Sequence, residues 1–142
     1  MRVYNASVTV QAEERVEISD ITKLVRTIVQ ESGVRQGIAI GNALHTTCAL
    51  FVNEFQSALV EDFKGLAKRL VPSSAGYRHD DPRYSDCERG NADAHLRVAL
   101  LGRSIALGVS DGELVLGRFQ SIIFAELDGP RSRAISVQVL GE

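Results

Sequence analysis

The chain of 142 residues has no tryptophan, one methionine, three prolines and two cysteines, and no apolar run of membrane-spanning length. Each scarcity removes a class of protein. Without about 18 consecutive apolar residues no transmembrane helix is expected, and Met1 to Asn5 lack the apolar core of a secretory signal. A cytoplasmic protein without membrane contact is therefore predicted. Cys48 and Cys87, in a chain without a secretory signal, are expected to be free thiols rather than a disulfide. The formal charge is only −2 and no long run of one sign occurs, so no electrostatic footprint for nucleic acid or an anionic membrane is present. With 44% hydrophobic residues and no internal repeat or low-complexity segment, residues 1–142 are expected to form a single domain around one core.

What is there has clear periodicity. Val3 to Val10 alternates as a half-buried strand does, and Gln11 to Arg15 reads as a turn. Ser19 or Asp20 caps a helix through Ile21, Leu24, Val25, Ile28 and Val29, with Gly33 after its end. Gly37 to Leu44 and Ala49 to Asn53 are compact apolar runs suited to buried strands. Ser57 opens a second helix, with Leu59, Val60, Phe63, Leu66, Ala67 and Leu70 on one stripe, stopped by Pro72. Residues 72–90 carry no periodicity and many polar groups, which marks a loop that is either functional or disordered. Asn91 is a good cap for a third helix, Ala92 to Leu101. The remainder reads as a three-stranded meander, Ser104 to Val109, Glu113 to Phe124 and Ala134 to Leu140, turning at Asp111-Gly112 and Asp128-Gly129-Pro130. Gly117 signals a bulge in the middle strand or the close approach of another backbone. The fold class predicted is α+β, a largely antiparallel sheet packed with about three helices and closed by a C-terminal β-meander.

Three histidines stand in unusual settings. His45 ends a buried strand and precedes Thr46 and Thr47, whose hydroxyls can orient it or contact a phosphate; His79 adjoins Asp80 and Asp81 in the long loop; His95 lies at the start of the third helix. Brought together they would hold a divalent metal with one position open. Their spacings of 34 and 16 residues match no local metal motif, so only tertiary structure can unite them, and separate surface or hydrogen-bonded histidines are the plain alternative. A Cys/His zinc site ranks lower, because the chain has no paired C-x-x-C. In the charged turn Glu126 to Arg133, Arg131 and Arg133 are placed to grip a phosphate bidentately, with Glu126 and Asp128 holding them or binding metal; a hairpin tip with local salt bridges would look the same.

Taken in order, His45-Thr46-Thr47, Asn53-Glu54, Asp62, Tyr77-Arg78-His79-Asp80, Asn91 to Leu96, Leu116 to Gln120 and Glu126 to Arg133 resemble the YjbQ-like family over nearly the whole chain. The combination is specific although each piece is weak. Cys48 stands where that family usually has alanine and Phe119 where tryptophan is common. The resemblance implies a compact α+β homotrimer in which the three histidines, Asn53, Glu54, Asp62 and the 126–133 turn gather near one cleft. It also implies a secondary thiamine-phosphate synthase, joining hydroxymethylpyrimidine diphosphate to thiazole phosphate with release of pyrophosphate.

That chemistry needs a diphosphate-stabilising site and no strong nucleophile. The partner expected is thus a small phosphorylated molecule, with His45, Asn53, Glu54, Asp62 and Glu126 as catalytic candidates, Thr46, Thr47, Arg131 and Arg133 on phosphate, and His45, His79 and His95 on metal. Zinc suits three histidines, whereas magnesium suits a diphosphate. Two alternatives of other classes stay open: a metal-dependent hydrolase using a three-His site, and a non-catalytic ligand-binding trimer.

Overall fold

The sequence of β8, Arg131–Gly141, sets the architecture. Its alternation buries Arg133, Ile135, Val137 and Val139 and leaves Ser132, Ala134, Ser136 and Gln138 on the other face. A strand this long has room for two antiparallel partners: β1 (Arg2–Ala12) pairs along its full length, from Arg2 opposite Gly141 to Ala12 opposite Arg131, and β3 (Gln36–Ala43) takes its other edge. β5 (Ser104–Ser110) and the two-residue β6 (Glu113–Leu114) extend the sheet in the order β1-β8-β3-β5-β6. This computed structural model describes all 142 residues.

A second sheet, β2-β7-β4, is built on β7 (Ser121–Glu126), flanked by β2 (Glu17–Asp20) and β4 (Cys48–Asn53). Residues Ile122 to Glu126 are all buried, so β7 is covered on both faces, as its unbroken apolar run requires. Between the sheets lies a core of 18 buried residues, among them Leu50, Phe124, Ile135 and Val137. Helix α1 (Thr22–Ser32) adds Val25, Ile28 and Val29 to that core. On the outer face of the small sheet, Ala49, Ala125 and Leu127 meet Ala94 and Val98 of α3 (Ala92–Leu101) in a second cluster. Helix α2 (Ser57–Leu70) lies over the same face, with Phe63 edge-on to Phe51 at 5.6 Å.

The α+β class and the three helices are as predicted, with Gly33 closing α1 in the left-handed region at φ 67°. Three local readings change. β2 falls where a helix cap was expected: Asp20 is the last strand residue, yet its carboxylate still accepts the Thr22 N–H at 2.9 Å, so the cap works from one position earlier. The single long strand Glu113 to Phe124 is two strands in different sheets, divided around Gly117, whose N–H donates to the Gln120 side chain at 2.7 Å. The C-terminal meander is therefore not one: β8 returns beside β1 and β3, never beside β7, because its inward stripe closes the larger sheet. Asp111 and Gly112 do form the expected turn, both at positive φ. No helix is long and apolar enough to cross a membrane.

Phe124, fully buried between the sheets, tests this core. Phe124→Ala is expected to cost about 3–5 kcal/mol, read as a lower denaturant midpoint in equilibrium unfolding.

Candidate functional site

The candidate site grows from an ion pair that the strand alternation forces inward. Glu126 shares its face of β7 with Ile122 and Phe124, and Arg133 shares its face of β8 with Ile135 and Val137, so both point between the sheets. They are 0% and 2% exposed. Arg133 donates from Nε to Glu126 Oε1 at 2.7 Å and from Nη2 to Oε2 at 2.6 Å, a bidentate pair. Nη2 also reaches Thr47 Oγ1 at 2.7 Å, and Glu126 Oε2 accepts the Asp128 N–H at 3.0 Å. No buried side-chain polar atom lacks a partner, as a buried pair demands.

The turn after Glu126 carries a second cluster. Asp128 accepts from Arg89 Nε at 2.9 Å and Asn91 Nδ2 at 2.8 Å, with Arg131 Nη2 at 3.4 Å and Arg15 Nε at 3.7 Å. Arg15 continues to Asp93 at 3.1 Å, where Ser73 Oγ donates at 2.9 Å and Arg97 lies at 3.4 Å. Gly129 permits this crossing, because a Cβ there would strike the Glu14 carbonyl of the loop that bears Arg15. Arg15, Arg89, Arg97, Arg131 and Arg133 thus face Asp93, Glu126 and Asp128, five guanidiniums against three carboxylates. Burial opposes ionisation of Asp128, but hydrogen bonds from Arg89 and Asn91 outweigh it and hold the carboxyl below its usual range. Asp93 is likewise lowered against its burial, by Ser73 and Arg15.

Above this cluster opens a cleft of about 350 Å³ lined by Leu44, His45, Thr46, Thr47, Arg89, Asn91, His95, Arg131 and Arg133. It brings the His45-Thr46-Thr47 stretch and His95 beside Arg131 and Arg133 of the 126–133 turn. Thr47 is buried and committed to Arg133, whereas Thr46 is exposed at the rim. A neighbouring recess of about 290 Å³ is lined by Tyr77, Arg78, His79, Ala92, His95 and Leu96, so His95 belongs to both. The His79 and His95 rings lie 4.8 Å apart, tilted by 60°.

The structure redistributes several predicted roles. Glu126 and Arg133 saturate each other, so Glu126 is a buried counter-ion rather than an acid or base facing ligand. No three His, Cys, Asp or Glu side chains are arranged to hold a metal ion. His45 Nε2 accepts the Ala134 N–H at 3.0 Å and His79 Nδ1 faces Asp80 at 3.1 Å, so the second ring nitrogen of each has no hydrogen-bond partner in the chain. Asn53 ends β4, about 17 Å along the strand from Cys48 by the strand rise, and Glu54 follows it. Asn53 caps its own neighbour, its Oδ1 accepting the Glu54 N–H at 2.8 Å. These two and Asp62, exposed on α2, do not line the cleft within one chain. Cys48 is a core thiol, pushed up to about 11 by burial, and both cysteines are free.

Arg15, Arg89 and Asp93 were not singled out from the sequence, since single arginines in loops carry no periodic signal. Asn91 was read as a helix cap, but its side chain is spent on Asp128. Asp80 supplies the cap instead, its Oδ1 accepting the Ala92 N–H at 3.0 Å.

Residues 6–142 match the model of the family described as UPF0047 protein YjbQ-like. A UPF0047 protein of Methanothermobacter thermautotrophicus is 42% identical over 142 residues, covering 100% of this chain and 95% of its own. UPF0047 protein YugU of Bacillus subtilis is 32% identical, covering 93% and 96%. The crystal structure of a YbjQ-like protein of unknown function from Sulfolobus solfataricus superposes with TM-score 0.92 at 37% identity, covering 99% of each chain. An uncharacterized YjbQ/UPF0047 protein from Clostridium acetobutylicum gives 0.85 at 30% identity, covering 95% and 99%.

Two measurements probe the charge cluster. Glu126→Gln strands the buried Arg133 charge and is expected to cost about 3–5 kcal/mol in chemical denaturation, while Glu126→Leu with Arg133→Met together should cost less than the sum of the two singles. Because the Asp128 carboxyl is depressed in the folded state, its stabilisation is present above the unfolded carboxylate value and lost as pH falls through the folded one. Arg89→Ala removes the leading hydrogen bond to Asp128, so its acid unfolding, followed by circular dichroism, is expected at higher pH than wild type.

Proposed function

The chain belongs to the YjbQ-like UPF0047 family, and we propose that it is an enzyme acting on a small phosphorylated molecule, held by its phosphate or diphosphate between Arg89, Arg131, Thr46 and His95. The excess of guanidinium over carboxylate around the cleft carries this reading. Asp128 engages only Nε and one Nη of Arg89, and one Nη of Arg131, leaving other donors of both side chains for a ligand. Arg131 is one-third exposed and Arg89 half exposed, so both can be reached from the cleft. Planar forks of this kind fit phosphate oxygens, and their positions are fixed before a ligand arrives.

The reaction implied by the family resemblance, condensation of hydroxymethylpyrimidine diphosphate with thiazole phosphate, fits this chemistry. It needs cations at a departing diphosphate and no protein nucleophile. The three-His hydrolase reading has less support, since His45 Nε2 is already engaged by the backbone.

Calorimetry with inorganic pyrophosphate, together with a coupling assay on the two precursors, tests the proposal. Wild type should bind pyrophosphate and form thiamine phosphate. Arg131→Ala and Arg89→Ala should each weaken pyrophosphate binding about tenfold or more, the loss of one or two charge-assisted hydrogen bonds. Undiminished affinity in both variants would remove the phosphate role from this cleft, and binding without turnover would leave a ligand-binding protein.

A further inference from the structure

The sheet order leaves one long strand without a second partner. β1 pairs only with β8, and no backbone hydrogen bond outside that ladder involves Val3 to Ala12. Every second residue of an edge strand points its N–H and C=O away from the sheet. The single side-chain bond to the β1 backbone runs from Gln11 Nε2 to the Ala12 carbonyl at 3.0 Å. The other three edges are guarded: β6 has two residues, β2 has four and carries Glu17 and Asp20, and the Leu50 N–H of β4 is taken by the Gly102 carbonyl at 3.1 Å. β1 has eleven residues, and from Val3 to Ala12 it holds no charge, no proline and no glycine. An edge without those devices is a template for another strand.

The sequence of β1 suits a second copy of itself. An antiparallel pair centred on Ser7, the midpoint of Arg2–Ala12, sets Ala6 opposite Val8, Asn5 opposite Thr9, Tyr4 opposite Val10 and Val3 opposite Gln11, with no like charges facing. The same register carries the exposed Arg2 of each copy to the exposed Glu13 and Glu14 of the other. Arg2 donates from Nη1 to the Ser32 carbonyl at 3.1 Å, and its remaining N–H groups are available to a carboxylate. We infer that the β1 strands of two copies pair edge to edge, joining their five-stranded sheets into one continuous sheet. Such a self-paired edge closes after two chains, so it is distinct from the three-fold contact implied by the family resemblance, and the two coexist only in an even-numbered assembly. Glu13 and Glu14 begin the loop that carries Arg15 to Asp93 and Asp128, so the contact braces the base of the charge cluster.

Analytical ultracentrifugation and thiol cross-linking test the pairing, the latter in a Cys87→Ser background that leaves buried Cys48 as the sole native thiol. Wild type should sediment as a dimer or a larger even-numbered assembly. Directly opposed residues lie about 4.5–5.5 Å apart at Cα, within disulfide reach, so Ser7→Cys should oxidise to a covalent dimer as the main product. Asn5→Cys and Thr9→Cys each stand about 13 Å along the strand from their own counterpart, and should cross-link only when the two variants are co-expressed. A monomer or a trimer in sedimentation overturns the inference, as does a Ser7→Cys chain that stays uncrosslinked, or an Asn5→Cys chain that cross-links alone as readily as Ser7→Cys.

Discussion

The pairing of Glu126 with Arg133 is the constraint on which the rest of the structure depends. One residue ends the central strand of the small sheet and the other begins the long strand of the large sheet, so their bond ties the two layers at one end of the core. Two charges removed from water cost several kcal/mol each unless their attraction and further hydrogen bonds offset it. Here Thr47 and the Asp128 N–H complete the set. The pair therefore has essentially one geometry. Hydrophobic residues in its place would fill the same volume without specifying how the 127–132 turn leaves the core.

Fixing that turn fixes everything charged above it. Asp128 and Arg131 are two residues from either member of the pair, and Asp128 in turn collects Arg89 and Asn91 from the start of α3 and Arg15 from the β1–β2 loop. Arg15 passes the constraint to Asp93, and Arg97 passes it to the end of α2 by donating to the Val71 carbonyl at 2.8 and 3.2 Å. The order matters energetically, because each carboxylate is exposed to progressively more solvent-accessible arginine as the cleft is approached: Arg133 has 1% side-chain exposure, Arg131 33% and Arg89 50%. Cations at the mouth are thus held by partners that are themselves buried, which orders them in advance of a ligand.

Local periodicity made the helices and most strands legible in the sequence: α1 and β3 each bury one stripe or face, whereas α2 keeps its apolar stripe but buries only Val60 of it, with Leu66 and Leu70 exposed. What it could not reveal was which sheet a strand joins. Glu113 to Phe124 reads as one strand because Leu114, Val115 and Leu116 continue the apolar pattern, and only the pairing of Ser121–Glu126 with β2 and β4 shows the break. The site divides the same way. His45, Thr46 and Arg131 were visible as odd polar residues beside buried strands and do line the cleft. Arg89 was not singled out and Asp93 entered only within the Asn91 to Leu96 segment, because their meaning lies in partners 39 and 78 residues away. Asn53, Glu54 and Asp62 were assigned by family order alone, and strand length carries the first two to the far end of β4.

The two walls of the cleft differ in how they are held, and that difference bears on their division of labour. The arginine wall hangs from the buried ion pair and from strands whose inner faces are fully packed. The 71–91 connection carries both His79 and Arg89 and is held at separate points: Ser73 Oγ donates to Asp93 at 2.9 Å, the Tyr77 hydroxyl to the Pro72 carbonyl at 2.6 Å and Arg89 to Asp128 at 2.9 Å, while Asp80 accepts the Ala92 N–H. Connections with few buried contacts open at lower free energy than packed strands do. A ligand held as proposed would therefore find its most rigid contact at Arg131, carried by the packed strand β8. His95, which lines both recesses, is the point where that connection meets the arginine cleft.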